Sequence, residues 1–475
     1  MAVHTKKGWC YEEAVMSYSV LKKKENYTPT TNACKLCTPL GASLVFKGIS
    51  NAVPLLHGSQ GCSTYIRRYV ISHFKEPVDI ASTNFSEETA IFGGGVNLNL
   101  ALDNLRKQYN PEMIGIATTC LSETIGDDVA MFLKSYREQR QNEELPEIIH
   151  VSTPSYRGTH MDGFHGAVQA VVEGLSNTDS DTVSGHKLNI FPGMVSPADI
   201  RHLKDILDTF GISYAMLPDY SDRLDGGLWT EYQTIQKGGT EISEIKNMKK
   251  ARASVEFGKI LDGGRSSAGK YLKNAFDVTC HSLGLPIGVR ETDAFFKVLE
   301  SISGSPTPRR YVSQRERLVD SFVDGHKYVS GIRAVVYGEE DLVVGMVSLL
   351  REIGIIPVLC ASGGKSGMME KTIGEIVPEY RSLGINIREN VDFMDIEKQA
   401  TDLSPDIFIG NSKGYTLSRR IGKPLVRIGF PVHDRVGGSR IRHLGYEGAQ
   451  ELFDRIVNTL IEKGQDKSEI GYTYI

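Results

Sequence analysis

Ile332-Arg-Ala-Val-Val-Tyr337, turned by Gly338, and Ile355-Ile-Pro-Val-Leu-Cys360, preceded by Gly354, enclose a helical pattern and read together as strand, helix and strand. Short β-branched runs separated by helical segments and glycine turns are the signature of βαβ units around a parallel sheet. The same grammar recurs outward from this unit. Further candidate strands are Met113 to Thr118, Ile148 to Ser152, Leu188 to Phe191, Tyr214 to Leu217, Asp406 to Ile409 and Pro424 to Ile428. Between two of them, Ile200, Leu203, Ile206, Leu207 and Phe210 recur at helical spacing, and Gly211 marks the stop. The units fall into three groups, at about 35–185, 186–320 and 325–475, after an N-terminal extension of residues 1–34. They predict three doubly wound, Rossmann-like α/β domains with parallel sheets. Ser176 to Ser184 and Ser303 to Arg310 read as linkers.

Composition narrows the function classes. The chain has 475 residues, 40% of them hydrophobic, which suits a folded protein of more than one core. Its 54 Lys and Arg against 58 Asp and Glu leave a formal charge of −4, so no broad basic field exists for nucleic acid or an anionic membrane. No apolar run approaches the roughly 18 residues of a membrane span, and Met1 to Glu13 is polar. A cytoplasmic protein is expected, with its seven cysteines reduced or binding metal.

Two glycine-rich loops invite a nucleotide reading and do not sustain it. Ser362-Gly363-Gly364-Lys365-Ser366 lacks the glycine that a phosphate loop needs five residues before Gly364, where Leu359 stands. Gly93-Gly94-Gly95 has no clear preceding strand and the wrong spacing. No nucleotide is expected in this chain.

The cysteines are more informative. Cys34 and Cys37 form a CxxC pair, but no second close pair completes a structural zinc site. Cys37, Cys62 and Cys120 each sit beside a turn of small residues, and Cys120 ends an apolar run where an open α/β sheet presents its ligands. Three thiolates from three loops suit a shared iron–sulfur cluster. Each cysteine alone reads first as a buried inert thiol, and only the three together bring the ligand reading level with it. Spacing leaves both readings open.

Ordered motifs add a resemblance. Cys37-Thr-Pro-Leu-Gly-Ala42, His57-Gly-Ser-Gln-Gly-Cys62, His73-Phe-Lys-Glu-Pro77, Phe92-Gly-Gly94, Thr118-Thr-Cys120-Leu-Ser-Glu123 with Ile125-Gly-Asp-Asp128, Thr153-Pro-Ser-Tyr156, and Gly429-Phe-Pro431 with Asp434-Arg435 resemble, in that order, the β-type subunit of nitrogenase component 1. The resemblance spans roughly residues 32 to 460 and places the metal-cluster site among the three domains. It implies that Cys37, Cys62 and Cys120 bind an eight-iron, seven-sulfur P-cluster shared with an α-type subunit in an α2β2 heterotetramer. Ser155 would be a further ligand in the oxidised cluster, Tyr65 would lie on an electron path, and Phe92 would dock a transient, ATP-hydrolysing iron protein. The catalytic metallocofactor would reside in the partner, so this chain would hold no catalytic residue of its own. The implied activity is an oxidoreductase acting on dinitrogen or on small methylthio compounds, as in methylthio-alkane reductase. Val436-Gly-Gly-Ser439 resembles instead the scaffold subunit of cofactor assembly, which would hold a four-iron, four-sulfur cluster and would not be a reductase.

Overall fold

The computed structural model describes residues 33–177, 187–263, 266–466 and Ser468. Nearly all of the 1–34 extension and most of the Ser176 to Ser184 linker therefore lie outside the described residues. Among the described residues there are three sheets, and every strand pair in them is parallel.

The first sheet contains β1 (Ala52–His57), β2 (Ala81–Ser82), β3 (Met113–Thr118) and β4 (Glu147–Val151) in the order β2-β1-β3-β4. The second contains β5 (Leu188–Phe191), β6 (Tyr214–Met216), β7 (Ala253–Phe257) and β8 (Thr279–Leu283) in the order β6-β5-β7-β8. The third contains β9 (Arg333–Gly338), β10 (Ile356–Ser362), β11 (Asn386–Arg388), β12 (Ile407–Gly410) and β13 (Leu425–Arg427) in the order β11-β10-β9-β12-β13. In each sheet the chain starts near the middle and winds both ways. That is the doubly wound pattern, and it puts the strand carboxyl ends beside a switch in strand order.

Local chemistry explains the elements. Met113–Thr118 is buried at every position, as a central strand covered on both faces requires. The Pro197–Thr209 helix opens with a capping box from Ser196 and Asp199, with Pro197 in its first turn, and buries Ile200, Leu203, Ile206 and Leu207. β1 escapes the sequence reading because Pro54 interrupts it. Its missing N–H is tolerated since β2 pairs only from Leu55 onward, leaving one side of Pro54 without a ladder. β7 and β8 carry Glu256 and the polar run Thr-Cys-His-Ser, which mask them as strands. The Arg309–Val329 helix begins inside Ser303 to Arg310, so only Gly304 to Pro308 joins two helices, and the helix runs through positions 320 to 325.

One close approach governs the site. The Thr38–Lys47 helix has all ten residues buried and packs on the His160–Ser176 helix through two glycines. A Cβ on Gly41 would lie 1.7 Å from the His160 carbonyl oxygen, and one on Gly163 would lie 1.9 Å from the Thr38 oxygen. Only hydrogen fits at either position. The start of the Thr38–Lys47 helix is thereby locked against the end of the first sheet.

Candidate metal-cluster site

Three strand ends and one helix start converge on the cysteines. Cys37 is the N-cap of the Thr38–Lys47 helix, in an extended conformation. Cys62 lies in the first turn of the Gln60–Phe74 helix, just after β1, and Cys120 begins the Cys120–Ile125 helix, just after β3. Ser155 follows β4. Since β1, β3 and β4 are neighbours, Cys62, Cys120 and Ser155 come from adjacent strand ends. Each sulfur thus stands at a helix N-terminus, where free backbone N–H groups and the helix dipole favour negative charge.

Ser155 ties two of the sulfurs together. Its backbone N–H donates to Cys120 Sγ at 3.3 Å, and its hydroxyl accepts from Thr38 N–H at 3.2 Å while hydrogen-bonding the Cys37 sulfur. It therefore caps the Thr38–Lys47 helix rather than the helix that follows it, which Thr159 caps. Desolvation raises the Cys37 pKa, the Ser155 hydrogen bond opposes the shift, and charge on Cys120 or Cys62 adds to it. The three sulfurs feel one another. Ser59 Oγ, at 3.8 Å, donates to Cys62 Sγ.

The other described thiols differ in kind. Cys34 and Cys360 are buried, and burial pushes Cys34 up to about 12 and Cys360 higher still. Cys280 is pushed up to about 11, first by burial and then by Glu256. Cys37 and Cys120 are exposed and Cys62 is half-buried. Beside them, Tyr65 is 64% exposed one turn on from Cys62, and Leu121 and Tyr156 are exposed next to Cys120 and Ser155. Among the described residues, no three His, Cys, Asp or Glu side chains are placed to chelate a single metal ion. The donor set is instead a broad face of soft ligands, which suits a multi-iron cluster completed from outside the chain.

Phe92 ends the Glu87–Phe92 helix and is 81% exposed, with Glu87 and Glu88 in that helix's first turn. It is not a core residue. Behind it, Asp127 accepts from Gly94 N–H at 3.1 Å and pairs with His57, the last residue of β1. A Cβ on Gly58 would meet Thr119 Oγ1 at 2.0 Å, so the Cys62 and Cys120 turns lie in direct contact.

The profile of the family described as "Nitrogenase component 1 type Oxidoreductase" matches residues 37–461. The nitrogenase molybdenum-iron protein beta chain of Clostridium pasteurianum is 34% identical over 432 residues, covering 91% of this chain and 93% of that one. The chain belongs to the nitrogenase component 1 family. A solved structure titled "Nitrogenase Cp1 at pH 6.5" superposes with a TM-score of 0.90 at 32% identity, over 95% of this chain and 98% of that one. NifN of Bradyrhizobium diazoefficiens, a "Nitrogenase iron-molybdenum cofactor biosynthesis protein", is 31% identical over 452 residues, 91% of each chain.

Within the nitrogenase component 1 family this is a β-type subunit, and the family is one of oxidoreductases with iron–sulfur clusters. No described helix is long and apolar enough to cross a membrane. Sequence reasoning did not single out Asp127, His160, Glu339 or Lys413, which brace the cysteine turns. Asp127 was in view inside the Ile125-Gly-Asp-Asp128 motif, but its role depends on distant partners.

Proposed function

We propose that this chain is the β-type half of a nitrogenase-like reductase, working with an ATP-dependent iron protein as electron donor and an α-type partner that carries the catalytic metallocofactor. The observation that carries the reading is the exposure of Cys37 and Cys120 within a rim of exposed Tyr65, Leu121 and Tyr156. Soft metal ligands open to solvent and framed by apolar side chains make half a site, and a second subunit would cover both. Cys37, Cys62 and Cys120 would hold the P-cluster from this side, with Ser155 able to add its oxygen. When bound, the cluster supplies electron storage between donor and cofactor.

The chain's own residues orient the ligands and recruit the donor. Gly41 and Gly163 set the Cys37 turn, Ser155 spaces Cys37 from Cys120, and Asp127 fixes the segment that presents Phe92. The substrate pocket would lie in the partner, so dinitrogen and methylthio compounds are both compatible with this chain.

Metal analysis and electron paramagnetic resonance of the copurified α2β2 complex test the reading. Cluster iron beyond the cofactor's own, lost when the subunits separate, is the expected result. A complex without that iron would sink the proposal.

The relation to NifN and the Val436-Gly-Gly-Ser439 segment favour a second reading, a scaffold that binds a four-iron cluster and a maturing cofactor. Turnover driven by the iron protein distinguishes the two, because a scaffold has none.

A further inference from the structure

The segment from Ala33 to Cys37 belongs to the first sheet's site, yet the third sheet holds it. Gly363, just after β10, is pressed so closely on this segment that a Cβ there would lie 2.5 Å from the Cys34 carbonyl oxygen. Ala33 bridges Asp392 of the same domain. Leu36 N–H donates to His160 Nδ1 at 3.3 Å, and the His160 N–H donates to the Leu36 oxygen at 3.0 Å. With Nδ1 accepting, the His160 proton lies on Nε2, which donates at 2.9 Å to Glu339, just after β9. Lys413, in the turn after β12, donates its Nζ to the Ala33 oxygen. Carboxyl ends of three strands of the third sheet thus converge on the Cys37 turn.

Lys413 is the cation of that clamp. Its backbone is fixed by Asn411 Oδ1, which accepts Lys413 N–H at 3.1 Å, and the neighbouring Ser412 is bonded twice to the Pro431 oxygen. Among the described residues, its ammonium forms no ion pair with a carboxylate. Burial works against its charge, while Cys34, Cys37 and Glu339 favour it.

We propose that Lys413 is a positioning and charge-balancing residue of the thiolate face, holding positive charge against the Ala33 to Cys37 segment so that the more reduced state of the bound cluster is favoured. Each electron added to a cluster adds negative charge, and a fixed cation in a partly desolvated site stabilises it more strongly than water-screened charges do. The inference rests on the P-cluster reading above.

The test uses the copurified complex, with Lys413→Met and Lys413→Arg in this subunit, iron analysis, and a redox titration followed by electron paramagnetic resonance. Lys413→Met is expected to keep its iron and move the cluster midpoint to lower potential, with Lys413→Arg near wild type. Full iron with an unchanged or higher midpoint in Lys413→Met would overturn the proposal. If Lys413→Met loses iron, Lys413→Gln decides, because its amide can still donate to the Ala33 oxygen. Loss of iron or a lowered midpoint in Lys413→Gln, with Lys413→Arg intact, supports the charge role. Lys413→Gln with wild-type iron and midpoint, or Lys413→Arg that also loses iron, overturns it. A wild-type complex without cluster iron defeats the P-cluster reading itself, a result distinct from a normal cluster indifferent to Lys413.

Discussion

His57 Nε2 lies 3.0 Å from Asp127 Oδ2, with side-chain exposures of 0% and 4%, and this bond joins the end of β1 to the segment behind Phe92. Burial is the main cause of the lowered His57 pKa, against the opposing pull of Asp127, so the ring is a neutral donor to a carboxylate. Asp127→Ala removes that bond and the Gly94 N–H bond together. A hydrogen bond to a charged group contributes about 1.5 to 3 kcal/mol, so a loss of at least that size is expected. Faster amide exchange at Gly94, with Asp127→Asn between alanine and wild type, is the measurement that checks it.

Cys37→Ala, Cys62→Ala and Cys120→Ala should each lower cluster iron in the copurified complex and abolish turnover. Cys34→Ala, Cys280→Ala and Cys360→Ala should retain iron, at a stability cost of about 0.5 to 3 kcal/mol from lost packing. Iron per complex is the readout. Equal losses in both groups would count against the ligand assignment.

Phe92→Ala should change stability by less than about 0.5 kcal/mol, since the ring is solvent-exposed and supports no core. Docking should suffer instead, because an exposed aromatic framed by Glu87 and Glu88 is the kind of residue that anchors a transient interface. Steady-state turnover against iron-protein concentration should show a raised half-saturation with an unaltered cluster spectrum. An unchanged curve would remove Phe92 from the interface.

Gly41→Ala should be among the most damaging single substitutions in the chain. The added carbon would overlap the His160 carbonyl, and neither helix can yield without moving Cys37. Overpacking of this kind typically costs about 1 to 3 kcal/mol or more. Thermal unfolding and cluster iron should fall together, whereas Gly211→Ala, at a turn with open space around it, should leave the iron in place despite its positive φ.

Acid should destabilise the fold through buried neutral histidines. Burial lowers the His73 pKa to about 3, while its Nδ1 accepts Val432 N–H at 2.9 Å. An unfolded histidine titrates near 6.5, so between about pH 6.5 and 3 the unfolded chain binds one more proton at this residue. Stability from His73 is therefore full above that range and is lost as pH falls, by about 1.4 kcal/mol per pH unit. His73→Phe, which keeps an aromatic ring beside Phe74 and Phe430, should flatten the urea midpoint's dependence on pH between 7 and 5. An unchanged slope would show that His73 does not titrate on unfolding.

Apolar runs, helical periodicity and glycine turns determined the fold class, parallel α/β units. Met113–Thr118 and Leu188–Phe191 have the bounds read from their β-branched runs, because a strand buried on both faces must be apolar throughout. The helix carrying Ile200, Leu203, Ile206 and Leu207 was likewise visible, since one buried face imposes its spacing on the residues themselves. β1, β7 and β8 were hidden because Pro54, Glu256 and His281 interrupt the apolar runs by which a strand is read. The cysteines were visible as types and, through the ordered motifs, as a family pattern. Only the tertiary structure brought Ser155 between Cys37 and Cys120 and carried Lys413 and Glu339 across from the third sheet to the Cys37 turn. These contacts join residues up to 380 positions apart. Local pattern records burial and turn chemistry, whereas which distant strand ends meet depends on how three sheets pack, and no short stretch of sequence carries that.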